Sequence, residues 1–213
     1  MNKKSKSIII AFDGTAASGK GTVAKLVAEK LGYDYLDTGL MFRKVAYFSN
    51  KNKIDLSNIK KICELIDKID FVKPMSLSEI YSDEISDLSS KIAEINIIRE
   101  KLLNIQREFA KDKNGLVVDG RDIGTVVFPN ADFKFFFDAN IEERARRRYK
   151  QLQKMGKSIK LQKVLEYLKI RDKRDIERKS APLLKADDSM LIDTTQMTIE
   201  ESLNIILNKL NFK

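Results

Sequence analysis

The chain has 213 residues, with 40 Lys and Arg against 31 Asp and Glu, a single cysteine (Cys63) and no histidine. That composition fits one large α/β domain and excludes an internal disulfide, a cysteine-ligated zinc site and any mechanism that needs imidazole. Chemistry here must rest on lysine, arginine, carboxylates, hydroxyls and the backbone.

Lys3, Lys4 and Lys6 precede the apolar run Ile8–Phe12, which Asp13-Gly14 ends at once. The run is too short for a signal-peptide core or a membrane span, so a cytoplasmic location without a membrane partner is expected. Ser7–Phe12 is continuous and β-branched, as a strand buried on both faces should be. Val23, Leu26, Val27 and Leu31 recur at helical spacing, with Gly32 closing that helix. Tyr33–Asp37 reads as a second strand. Ile59, Ile62, Leu65, Ile66 and Ile69 predict an amphipathic helix with Ser57 as its N-cap. A longer helical stripe runs from Ile85 to Phe109, with room for one break. Leu116–Asp119 and Phe133–Phe137 are two more buried strands. Helices are expected from Glu142 and from Lys160, then a strand at Met190–Asp193. Thr198 with Glu201 forms a capping box for the last helix. Strands alternating with helices predict a three-layer α/β fold, a five-stranded, mostly parallel sheet with helices on both faces. Asn50–Ile85 lacks strand signal and reads as a mainly helical insertion. Cys63 lies on an apolar stripe and reads as core.

Strand Ser7–Phe12 leads into Asp13-Gly14-Thr15-Ala16-Ala17-Ser18-Gly19-Lys20-Gly21-Thr22, and a helix follows. Glycines admit close backbone approach, inward N–H groups and the helix N-terminus favour phosphate oxygens, and Lys20 adds a point charge. Residues 14–22 are therefore the expected ATP site. Gly21 stands where a strict phosphate loop has Ser or Thr, with Thr22 one place later. Mg²⁺ is accordingly expected to be held largely by phosphates and water, with no metal ligand from the protein.

The net charge of +9 is confined to Glu142–Lys179, which has 15 basic and 6 acidic residues. Such a patch attracts a polyanion, either a nucleic acid or a phosphorylated small molecule. Only Tyr149 and Tyr167 are aromatic there, a poor platform for stacking bases. A lysine-rich solvated helix face is the other reading.

Three further segments narrow the class: Leu36-Asp37-Thr38-Gly39-Leu40-Met41-Phe42-Arg43, Val118-Asp119-Gly120-Arg121-Asp122-Ile123-Gly124-Thr125-Val126-Val127-Phe128-Pro129, and Arg171-Asp172-Lys173-Arg174-Asp175-Ile176-Glu177-Arg178 followed by Ala181-Pro182-Leu183. With the phosphate loop, and in this order over nearly the whole chain, they resemble the bacterial cytidylate kinases. The resemblance implies transfer of the γ-phosphoryl of ATP to CMP or dCMP. It implies a single kinase domain over residues 1–213, with an acceptor-binding insertion at about 40–110 and a lid at about 144–160. It places Thr38, Arg43 and Arg121 on the acceptor phosphate. Asp122, Ser90, Arg99 and Arg178 fall at the cytosine, and Arg171 and Asp175 at the ribose. Lys20, Arg121, Arg144 and Arg148 become the catalytic charges. A monomer is implied, with nucleotides as its partners and no nucleic acid. A kinase for UMP or AMP is the alternative in the same fold, and a nucleic-acid-binding protein using residues 142–179 is the alternative outside it. Thr15, Leu40 and Phe42 depart from the family's usual proline, small residue and tyrosine. Phe71–Ser78 lacks the strand alternation of the family's longer insertion.

Several residues also have plainer readings. Thr38 could cap the following helix, Ser89 could replace Ser90, and Glu143 with Arg147 could be an i,i+4 surface pair. Asp172 and Arg174 read as helix-face charges.

Overall fold

Strand β1 (Ile8–Gly14) is the centre of the molecule, and the residues that form it explain both cores. Its side chains alternate: Ile9 and Ala11 enter one apolar cluster, Ile10 and Phe12 the other. Both faces are covered, which is why the run has no polar interruption. The structure is a computed structural model that describes residues 7–210, the side chains of Leu77, Ser78 and Asp83 apart. Lys3, Lys4 and Lys6 lie outside the described residues.

Helix α1 (Lys20–Leu31) follows β1, with Gly32 at its C-cap in the left-handed conformation. Strand β2 (Asp34–Asp37) comes next. Five helices then fill residues 38–109: α2 (Thr38–Lys51), α3 (Ile59–Ile66), the single turn α4 (Leu77–Ile80), α5 (Asp83–Ile92) and α6 (Asn96–Phe109). The predicted insertion is helical, and the stripe from Ile85 to Phe109 breaks once, at Ala93–Ile95. The cap of α3 is Asn58, whose side chain accepts from the Lys61 N–H, and not Ser57; the amide sits one residue closer to the first turn.

Strand β3 (Gly115–Asp119), a π-helical turn at Ile123–Val127, strand β4 (Phe133–Asp138), helices α7 (Ile141–Lys154) and α8 (Leu161–Glu177), strand β5 (Met190–Asp193) and helix α9 (Ile199–Leu210) complete the chain. The Thr198–Glu201 capping box is present, each residue's side chain bonding the other's backbone N–H. The sheet order is β2-β3-β1-β4-β5, and every pairing is parallel. The register aligns Asp37 with Asp119 and Asp138 with Asp193, so the sheet ends in a row of carboxylates. The chain passes from β1 to the β2 edge and later from β3 past β1 to β4, and this reversal of strand order opens a crevice over the carboxyl ends.

One apolar cluster joins the sheet to α2, α3, α5 and α6, and the other joins it to α1 and α9. A third, smaller cluster packs α7 on α8 through Ala145, Leu152, Val164 and Leu168, with Ala16 of the phosphate loop against it. Cys63 is half-buried at the margin of its stripe.

Candidate active site

The phosphate loop is held from beneath by β4. Gly14 has φ +142°, and a Cβ there would overlap the Phe137 carbonyl, so only glycine fits. Thr15 N–H donates to that carbonyl at 3.1 Å, and Thr15 Oγ1 donates to Asp138 at 2.8 Å. Ser18 Oγ donates to the Thr15 carbonyl, and Thr194 Oγ1 donates to the Ser18 carbonyl at 2.7 Å. Ala16 is buried, Ala17 takes φ +61°, and Gly19 takes φ +90° as it turns into α1. Thr22 is exposed on the first turn.

Lys20 opens α1 and is buried, its Nζ 3.0 Å from Asp119. Burial pulls its pKa down, helped by Arg121 and opposed by Asp119 and Asp37. Gly21 has a steric cause as well: a Cβ there would lie 2.7 Å from Asp119 Oδ2. The carboxylate that pairs Lys20 takes the space a serine or threonine would need.

Asp37, at the end of β2, caps α2 by accepting from the Leu40 N–H at 2.8 Å. Thr38 is therefore not the cap. Its hydroxyl donates to the Asp119 carbonyl at 2.9 Å and ties α2 to the end of β3. Arg43 is buried on α2, donating to the Ile80 carbonyl and to Ser86 Oγ, with the Tyr81 ring 4.6 Å from its guanidinium. Burial, with Arg171 and Arg148 close by, lowers its pKa to about 10. Beside it Lys44 donates to the carbonyls of Asp70, Phe71 and Lys73 and fixes the segment between α3 and α4.

Asp122 lies between two arginines. Arg99 Nη2 reaches its Oδ2 at 2.5 Å, and Arg178 Nη2 lies 3.6 Å from its Oδ1. Arg99 also donates to the Ala93 carbonyl, and its guanidinium faces the Phe42 ring at 5.5 Å. Arg178 is anchored on the Ala181 carbonyl, and burial beside Arg99 lowers its pKa to about 10. Arg121 pairs with Asp175 at 3.0 Å, with Arg171 3.9 Å from the same oxygen. Arg121 and Arg171 outweigh burial at Asp175 and hold its carboxyl below the usual carboxylate range. Ser90 Oγ is buried without a partner, whereas Ser89 Oγ donates to the Ser86 carbonyl, so Ser90 is the free hydroxyl.

From α7, Arg144 donates to the carbonyls of Ala139 and Ala16 and pairs with Asp172 at 2.7 Å. Asp172 is buried and bonded, which corrects its reading as a helix-face charge: α8 turns it toward α7. Arg174 is likewise half-buried rather than a free helix-face charge, because α5 brings Asp87 to 2.9 Å from it and Glu94 lies 4.0 Å away. Arg148 donates to Gln151 and to the Tyr81 carbonyl. The Glu143–Arg147 pair exists at 3.2 Å, but Arg147 also donates to Thr194 at the rim of the loop.

Lys20, Arg43, Arg99, Arg121, Arg144, Arg148, Arg171 and Arg178 thus gather over the carboxyl ends of the strands and outnumber the carboxylates among them. Buried polar atoms without hydrogen-bond partners collect there too: Ser90 Oγ, Arg171 Nε, Asp172 Oδ1 and Arg178 Nη2. Each costs about 1–3 kcal/mol while unpaired. Large buried apolar side chains at about 1.5–3 kcal/mol each can sustain that cost.

Asp13 was not singled out in the sequence, and its only signal was its place before Gly14. Its buried carboxylate accepts from the N–H groups of Ile123 and Gly124, both at 2.7 Å. One side chain therefore ties the phosphate-loop strand to the turn that carries Arg121 and Asp122. Burial raises its pKa from 3.8 to about 6 against the pull of those two N–H groups. A folded-state pKa above the unfolded one favours the folded state while the group is protonated. That contribution is lost as pH rises from about 3.8 to about 6. In denaturant melts, wild-type stability should fall relative to Asp13→Asn by up to about 3 kcal/mol over that window. A difference that stayed flat or rose with pH would mean that the two N–H bonds outweigh desolvation.

Known proteins resemble this chain in sequence and in fold. The cytidylate kinase family model matches residues 10–212. The cytidylate kinase of Clostridioides difficile (strain 630) is 42% identical over 214 residues, covering 96% of this chain and 99% of that one. The cytidylate kinase of Bacillus subtilis (strain 168) is 41% identical, covering 98% of each. The shikimate kinase of Bacteroides thetaiotaomicron shares the fold at 13% identity, with a TM-score of 0.50 over 96% of this chain and 99% of that one. By sequence along almost its entire length, and by fold, this chain belongs to the cytidylate kinase family.

Proposed function

We propose that the chain transfers the γ-phosphoryl of ATP to CMP and dCMP, giving ADP and the corresponding diphosphate. The observation that carries the acceptor assignment is Asp122, a buried carboxylate held between Arg99 and Arg178. A carboxylate accepts from the exocyclic amine of cytosine, while the arginine donors face its acceptor atoms. Uracil presents a carbonyl in place of that amine and would leave the carboxylate unpaired.

Phosphoryl transfer needs positioning and charge more than proton transfer, so a chain without histidine is equipped for it. Residues 14–22 cradle the ATP phosphates and Lys20 carries charge to them. Thr38, Arg43 and Arg121 hold the acceptor phosphate, and Arg171 and Asp175 hold the ribose. Arg144 and Arg148 bring positive charge from α7 to meet the negative charge on the oxygens of the transferring group. Residues 40–110 form the acceptor-binding insertion and 144–160 the lid. Mg²⁺ would offset phosphate charge. Asp119, buried 3.0 Å from Lys20, is a carboxylate that could hold water on that ion. A monomer is the state that the family resemblance implies. ATP dependence and the single free thiol suit the cytoplasm.

The basic segment divides into buried and exposed cations. Arg144, Arg148 and Arg178 are buried in the site, while Lys150, Lys154, Lys160 and Lys163 stay exposed. The forked cations face the ligand position, which favours a phosphorylated small molecule over nucleic acid. A panel of CMP, dCMP, UMP, AMP and a short oligonucleotide tests the reading, by ADP release and by thermal shift. CMP and dCMP should give the largest shifts and the highest kcat/KM. Preference for UMP or AMP, or a shift only with the oligonucleotide, would overturn it.

A further inference from the structure

We infer that the hydroxyl of Tyr167 is a further ligand of the acceptor nucleotide's phosphate, donating to it beside Arg43 and Arg171; this rests on the phosphotransferase reading above. Tyr167 belongs to none of the motif segments. It lies on α8 four residues before Arg171, so the two side chains share a helix face. Each holds a polar atom that is buried and lacks a hydrogen-bond partner: Tyr167 Oη and Arg171 Nε. Arg171, the Tyr81 and Tyr167 phenols and Arg148 all lie within electrostatic range of Arg43. Arg43 is itself held by neutral partners, the Ile80 carbonyl and the Ser86 hydroxyl. A buried cation so held is best matched by an incoming anion.

The tyrosine ring is anchored independently. It packs against the cluster of Ala16, Ala145, Leu152, Val164 and Leu168. The hydroxyl is therefore presented from a fixed ring, and phenylalanine would pack there equally well. What the oxygen adds is a neutral donor among guanidinium groups, and burying it unpaired is unfavourable unless a partner arrives. A phosphate oxygen accepts from it without adding a further cation to a site already crowded with them.

The test is Tyr167→Phe, which removes one oxygen and leaves the packing intact. Calorimetry would compare CMP with cytidine, which lacks the phosphate, and steady-state assays would give KM for CMP and ATP. CMP affinity should fall about tenfold or more, with a matching rise in the CMP KM. Cytidine affinity and the ATP KM should stay as in wild type. The melting temperature of the protein without nucleotide should be unchanged or higher, since no bond within the protein is lost. Unchanged CMP affinity, an equal loss for cytidine, or a lower melting temperature without nucleotide would each overturn the assignment. Those outcomes leave the parent reading standing if wild type phosphorylates CMP. A wild-type protein that neither binds nor phosphorylates CMP would overturn both.

Discussion

Lys20→Ala is expected to lower kcat about a thousandfold or more, a barrier increase of about 4 kcal/mol, while the protein still unfolds in one cooperative transition. Lys20 stands at the first position of α1, buried and 3.0 Å from Asp119. Its charge costs desolvation in the folded protein, visible in its lowered pKa, so it is not placed there for stability. What it offers is positive charge where negative charge builds up on transferring phosphoryl oxygens, in a site already shielded from water. Removing it leaves Asp119 buried without its cation, which works against the relief of desolvation. A companion variant, Lys20→Met, keeps the side-chain volume and separates charge from packing. Both variants should retain wild-type thermal shifts with CMP, because Lys20 belongs to the loop side of the site. A folded variant with near-normal kcat would take the phosphate loop out of the reaction.

Local patterns made much of this molecule legible. The unbroken apolar run at Ile8–Phe12 could only be a strand covered on both faces, and the structure covers it with two separate cores. The helical stripe from Ile85 to Phe109 showed its length and its break. Both are properties of neighbouring residues. Contacts between distant residues were harder to see. Asp13 is bonded to Ile123 and Gly124, more than a hundred residues away, and nothing near it in the chain announces that. Asp172 looked like a solvated charge because four positions on either side are mostly polar; only the approach of α7 and Arg144 buries it. Nothing in the sequence marks Lys44, yet the irregular segment after α3 folds its carbonyls around the ammonium. Thr38 lost the role of helix cap to its neighbour Asp37, since either could serve by sequence and the end of β3 takes the threonine hydroxyl. Between Ser89 and Ser90 the choice needed one rotation of a helix: Ser89 bonds back into its own turn and Ser90 is left free.

Asp122→Ala should collapse the preference for CMP over UMP. In the folded chain this carboxylate has one oxygen on Arg99 at 2.5 Å and the other facing Arg178 at 3.6 Å, and it is buried. The two arginines fix its plane, so an arriving base meets an acceptor with no freedom to turn. Cytosine offers that acceptor an amine. Uracil offers a carbonyl, and the pair would be two lone-pair-bearing oxygens in a site of low water content. Wild type should therefore favour CMP strongly in kcat/KM. The alanine variant loses the bond to CMP, worth about 1–3 kcal/mol, and loses the repulsion of UMP at the same time. CMP activity should drop about five- to a hundredfold, while UMP activity drops less or rises. Leaving Arg99 and Arg178 without their anion lowers stability as well, so Asp122→Asn is the control for folding. It keeps the volume and one acceptor oxygen, and its discrimination should fall between wild type and alanine. The measurement is kcat/KM for both nucleotides in all three proteins, with melting curves alongside. If the CMP to UMP ratio in Asp122→Ala equals that of wild type, the carboxylate serves only to hold two arginines together. Base choice would then lie with Ser90, Arg99 and Arg178.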